Sequence, residues 1–83
     1  MASSKLSKSL EIEYGHGIGI NDGSTISFQR AHTKAPTIVI AQNAYSAERI
    51  VSAYDVSKTG FKVIVKTISG TTTSSWIDWV AIW

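Results

Sequence analysis

Few side chains in this sequence have both the type and the spacing that chemistry needs. His16 and His32 are its two histidines, and they fall in no pattern used by metal-ligand sets. There is no cysteine, which excludes thiolate metal sites and disulfides. Glu11 and Glu13 share one face of a strand-like stretch, a spacing that can pair carboxylates for acid–base work. A solvated strand face is the more ordinary origin of the same spacing. Serine, histidine and aspartate are all present, but no G-x-S-x-G or similar setting surrounds a serine. The run "GHGIG" is too short for a dinucleotide loop and lacks the strand and helix that would flank one. The expectation is a protein that is not an enzyme, with no catalytic residues, no metal and no cofactor.

Binding remains, so the elements that would carry it come next. The stretch 9–15, "SLEIEYG", alternates Leu10, Ile12 and Tyr14 against Glu11 and Glu13, which predicts a half-buried strand with the apolar set inward. Residues 15–24 hold four glycines, Asn21 and Asp22 and read as a loop. "TISFQR" predicts a second strand with Ile26 and Phe28 inward, and Pro36, the only proline, suits the start of a third, "TIVIA". "ERIVSAYDV" predicts a fourth strand; its β-branched tail outweighs the helical look of "SAERI". "FKVIVKT" predicts a fifth, and "SSWIDWVAIW" a sixth. Six short strands without helical periodicity predict a single all-β domain over residues 1–83, a six-stranded antiparallel β-sandwich. Residues 1–8 read as a disordered lead-in. The expected core is Leu10, Ile12, Ile26, Phe28, Ile38, Ile40, Phe61, Val63, Val65 and Trp79.

Several strands are apolar on both faces. Val39, Val51, Ile64, Val80 and Ile82 lie opposite in parity to the expected core, as do Ala53 and Trp76. Either a small domain simply exposes them, or copies of the chain cover them. The second option predicts a homo-oligomer with Val39, Val51, Ile64, Val80 and Ile82 at its interface, since a patch of this size needs a cover. A chain of 83 residues buries a small core and gains from association. The net charge of +2 is spread through the sequence, so nucleic acid is not an expected partner. No apolar run approaches the roughly 18 residues of a membrane span, and the start "MASSKLSKSLE" has no signal-peptide apolar region, so no membrane insertion is expected.

The run 48–83 resembles the H-type lectin domain, the family of the snail agglutinin and of the C-terminal domains of discoidins. It carries an Arg-Ile opening, an aromatic followed by a V-S-x-T-G-F turn, a K-x-x-x-x-T strand and a closing I-x-W-[IV]-[AS]-I. Upstream, "TISF" and "APTIVI" extend the resemblance back to Thr25. The ending "SGTTTSSWIDWVAIW" is similar to short modules at the tips of bacteriophage tail fibres. The resemblance implies a trimer that binds a cell-surface glycan between protomers, on a virion tail fibre or in another extracellular setting. It also implies that Asp22, with Asn21 beside it, accepts hydrogen bonds from sugar hydroxyls, and that Arg49 donates to the sugar. The family's stacking tryptophan is replaced by Ile68, so the particular sugar is left unnamed. Read without the resemblance, Asp22 is an Asx-turn residue in "NDG" and Arg49 a surface charge paired with Glu48 or Asp55. A purely structural trimerisation or capping domain of a fibre is the competing function.

Overall fold

The structure is a computed structural model that describes residues 11–43 and 47–83. It is all-β, with two antiparallel three-stranded sheets. The strands are β1 (Ile12–Asn21), β2 (Thr25–Ser27), β3 (Thr37–Gln42), β4 (Ile50–Tyr54), β5 (Gly60–Lys66) and β6 (Ser74–Ile82). One sheet has the order β1-β6-β3 and the other β2-β5-β4. The two central strands supply the buried core: Phe61, Val63 and Val65 from β5, and Ile77, Trp79 and Ala81 from β6. Central strands are flanked on both edges, so their inward side chains lose the most water. Ile26, Phe28, Ile38 and Ile40 pack against this cluster as their alternation predicts. Phe28 lies just past β2, where its N–H donates to Thr59 O at 2.9 Å, and its ring meets Phe61, Trp79 and Trp83.

Two expectations fail on β1. The strand runs on through the glycines to Asn21 instead of ending at the expected loop. Its faces are also inverted: Ile12 is 52% exposed and Tyr14 80%, so Ile12 is not a core residue. The cause lies at Gly15 and Gly17, which take the inward positions because the core leaves them no room for side chains. A Cβ on Gly15 would fall 2.6 Å from the Trp79 indole, and one on Gly17 would fall 2.5 Å from Ile20. The inward-parity residue Glu13 is accommodated because its two carboxylate oxygens accept the Gln29 N–H, each at 3.1 Å. Leu10 and the lead-in 1–8 lie outside the described residues.

β4 is inverted in the same way. Val51 and Ala53 pack against the core, so they are not spare residues facing outward, while Ile50 and Tyr54 are exposed. Register explains the choice, because Val51 pairs with the buried Val65 and Ala53 with the buried Val63.

Candidate functional site

The turn from β1 to β2, the connection from β3 to β4 and the hairpin from β5 to β6 all meet at one end of the two sheets, where β1, β3 and β5 finish and β2, β4 and β6 begin. Asn21, Asp22, Arg49 and Ile68, scattered through the sequence, are all drawn to this end. Asn21 pairs with Ser74, and the Ser24 N–H donates to Asn21 O at 3.1 Å, closing a turn that Gly23 completes at a φ of 83°. "NDG" has the residues that such a turn demands.

Asp22 is tied into the protomer. Its N–H donates to Thr73 O at 3.0 Å. Oδ1 accepts the Val65 N–H at 2.8 Å, and Oδ2 accepts Lys66 Nζ at 3.1 Å. The Val65 N–H, and after it the Lys66 ammonium, hold the carboxyl below the usual carboxylate range. Asp22 therefore fastens the β1–β2 turn to the end of β5, a stronger structural role than an Asx turn alone would provide.

Arg49 is also engaged. Its N–H donates to Gln42 Oε1 at 2.7 Å, its Nε to Ser74 O at 3.3 Å and its Nη1 to Glu48 O at 3.0 Å. Among the described residues Arg49 forms no ion pair; Asp55 faces Lys62 instead, at 3.8 Å. Gln42 completes the clasp by donating Nε2 to Ala47 O at 2.9 Å. Ile68 stands at the tip of the β5–β6 hairpin with 66% of its surface exposed. That tip is stiffened by the Thr67 N–H to Thr71 O at 2.8 Å and the Gly70 N–H to Thr67 O at 2.9 Å.

A shallow polar notch of about 420 Å³ opens here, lined by Asn21, Asp22, Thr72, Thr73 and Ser74. Hydroxyls, a carboxamide and a carboxylate on one concave surface suit a polyhydroxylated ligand. Arg49 reaches the notch only through Ser74 O, and Ile68 lies outside its lining. Thr72, Thr73 and Ser74 were not foreseen as lining residues; their one sequence signal is the run "TTTSS".

A second and larger depression, about 860 Å³, runs between β1 and β2. Its walls include Glu11, Glu13, Gln29 and Arg30, with Trp79 and Trp83 among its aromatic residues. The His32 side chain is only 7% exposed. It stacks on Trp83 with ring centres 3.5 Å apart and planes at 9°. Its Nδ1 lies 3.3 Å from Glu11 Oε2, and Nε2 has no hydrogen-bond partner among the described residues. His16 meets Asp78 across strands at 2.7 Å, with its ring edge-on to Trp76. No group of three or more histidine, aspartate or glutamate side chains is placed to hold a metal among the described residues.

The outer face of the β1-β6-β3 sheet is widely apolar. Val80 is flanked in register by Tyr14 and Val39, and Ile82 by Ile12 and Thr37. Val39 is 54% exposed. Three of the five residues nominated for the trimer interface, Val39, Val80 and Ile82, thus share one face, and Ile12 and Tyr14 join them. Ile64 sits on the outer face of the other sheet, opposite Ser52, and Val51 points into the core. No helix of the described residues is long and apolar enough to cross a membrane. No family model matches the chain, and no curated protein matches it.

Proposed function

We propose that this chain is a carbohydrate-binding, lectin-like module that works as a homotrimer and recognises cell-surface glycans, as a receptor-binding tip of a phage tail fibre or a similar extracellular adhesin would. The observation that carries the reading is the polar notch at Asn21, Asp22, Thr72, Thr73 and Ser74. It sets Asn21 and Asp22 beside the hydroxyls of Thr72, Thr73 and Ser74 from a distant part of the sequence, and its groups match the donors and acceptors of sugar hydroxyls. The trimeric part is supported by the outer face of the β1-β6-β3 sheet, where Ile12, Tyr14, Val39, Val80 and Ile82 leave apolar surface that copies of the chain would cover. Weak single sugar sites gain from such an assembly, because three sites on one rigid body raise the effective affinity through avidity.

One observation favours a second reading, a structural trimerisation or capping domain. The Asp22 carboxylate and the Arg49 guanidinium both have partners inside the protomer. A glycan array probed with the intact assembly separates the two. Binding that is lost in Thr73→Val, a variant that keeps the backbone bonds, supports the lectin. Failure of simple sugars, polysaccharides and host cell-wall preparations alike leaves the structural domain.

A further inference from the structure

We propose that β1 is an interaction edge and that its partner is β1 of a second copy, paired antiparallel about a two-fold axis at Tyr14. The pairing goes beyond the trimeric lectin reading and is separate from it, since it uses the backbone edge of the sheet and not its apolar face.

The direction of the backbone groups comes first. The Trp83 N–H donates to Glu11 O at 3.0 Å, and Glu13, Gly15 and Gly17 continue that register opposite Ala81, Trp79 and Ile77. Backbone groups alternate sides along a strand, so Glu11, Glu13, Gly15 and Gly17 address β6 while Ile12, Tyr14 and His16 address the other side. β1 has no strand neighbour on that side among the described residues. Three consecutive donor–acceptor sets therefore lie along an open edge, the arrangement that invites strand addition. Residues 12 to 16 include neither proline nor lysine, two of the usual deterrents to such pairing. The depression between β1 and β2 runs beneath this edge and leaves room for inward side chains of an added strand.

The occupant follows from the register. With Tyr14 opposite the partner's Tyr14, Ile12 meets the partner's His16, and all three open sets are satisfied in hydrogen-bonded pairs. On the inward face Glu13 then meets the partner's Gly15, and Glu11 meets the partner's Gly17. Each carboxylate faces a residue without a side chain. Sliding the axis to Ile12 would bring Glu11 against the partner's Glu13, a like-charge pair that destabilises. Sliding it to His16 would run the pairing into the bulge between Gly17 and Ile20. The Tyr14 register is the one that the charges and the glycines accept. It joins the two β1-β6-β3 sheets into one continuous sheet around a closed two-fold contact.

Amide hydrogen exchange on the wild-type chain tests this directly. The amides of Ile12, Tyr14 and His16 should exchange at least about tenfold more slowly at high protein concentration than at low, while those of Glu13 and Gly15 are protected at both. Tyr14→Pro removes an N–H that β6 does not use, at an edge where proline is tolerated. This variant should keep its circular dichroism spectrum and halve the mass of the assembly, whereas Tyr14→Ala, which loses the same side chain from the apolar face but keeps the edge amide, should not halve it. Fast exchange of the three amides at every concentration overturns the pairing, as does protection that appears only when a foreign protein is added. A wild-type mass that is an odd multiple of the 9.0 kDa chain also overturns it. A mass of three chains would leave the trimer standing and remove the edge; a mass of two chains would do the reverse.

Discussion

Gly15 lies directly against Trp79: a Cβ at position 15 would come within 2.6 Å of the indole Nε1 and 2.8 Å of Cζ2. The ring is held in turn by Phe61, whose centroid lies 5.3 Å away, and by Phe28 at 6.0 Å, so it has little freedom to retreat. Gly15→Ala should therefore cost about 1–3 kcal/mol through overpacking. Gly19 makes a useful contrast, because nothing lies within 4 Å of its added Cβ and only its φ of 61° resists substitution. Gly19→Ala should cost about 1–2 kcal/mol through that backbone strain alone. Both variants should melt below the wild type, with a clear change in tryptophan fluorescence only for Gly15→Ala.

The core makes a harder demand. Phe61 is fully enclosed between the sheets and touches both Phe28 and Trp79. Phe61→Ala should remove about 3–5 kcal/mol, which a domain of this size does not survive at room temperature. Loss of the far-ultraviolet strand signal is the expected readout; a cooperative melt near the wild-type midpoint would contradict the packing described.

Acid should act through Asp22. Its folded carboxyl is held below the ordinary range by the Val65 N–H first and the Lys66 ammonium second. A depressed folded value means that the ionised form stabilises the fold above the unfolded value of about 3.9, and that this contribution disappears as pH falls through the folded value. The wild-type melting temperature should fall on acidification below about pH 4, whereas Asp22→Asn should start lower at neutral pH and lose less over the same window. Equal acid sensitivity in the two proteins would assign the effect to other carboxylates.

Val39 offers a test of the apolar face that leaves the protomer intact. It is more than half exposed, so Val39→Asp should cost the isolated fold no more than about 1 kcal/mol, the span of strand propensity. Under the three-fold packing proposed above, the same substitution should cut the assembly mass threefold in light scattering. An unchanged mass with unchanged circular dichroism would remove this face from the interface.

Much of the architecture is legible in the sequence because Phe61, Val63 and Val65 of β5 alternate with Lys62 and Lys66, whereas β6 is apolar on both faces and, of its buried Ile77, Trp79 and Ala81, only Trp79 is among the expected core. β1 and β4 defeat the same reasoning for two different reasons. On β1 the inward positions are glycines, chosen by the bulk of Trp79, a residue that sequence places far away, so the visible apolar alternation of Ile12 and Tyr14 marks the wrong face. On β4 both parities are apolar, and only the pairing of Val51 with Val65 decides between them. At the notch, "NDG" announces a turn, but Val65 and Lys66 as the partners of Asp22 depend on long-range register. The lining by Thr72, Thr73 and Ser74 has only a compositional trace.

The pairing of Ile12 with Ile82 has a kinetic consequence. The first and last strands are neighbours, so the β1-β6-β3 sheet requires closure of a loop that spans nearly the whole described chain. The β4–β5 hairpin, by contrast, joins Tyr54 to Lys62 across a short turn and can form early. Loop closure of the longer kind is paid in entropy before any contact rewards it, and all-β chains of this type fold in about milliseconds to seconds. Trp79, buried only when β1 and β3 flank β6 and β5 faces it from the other sheet, should report that last step, with its fluorescence lagging behind formation of the hairpin.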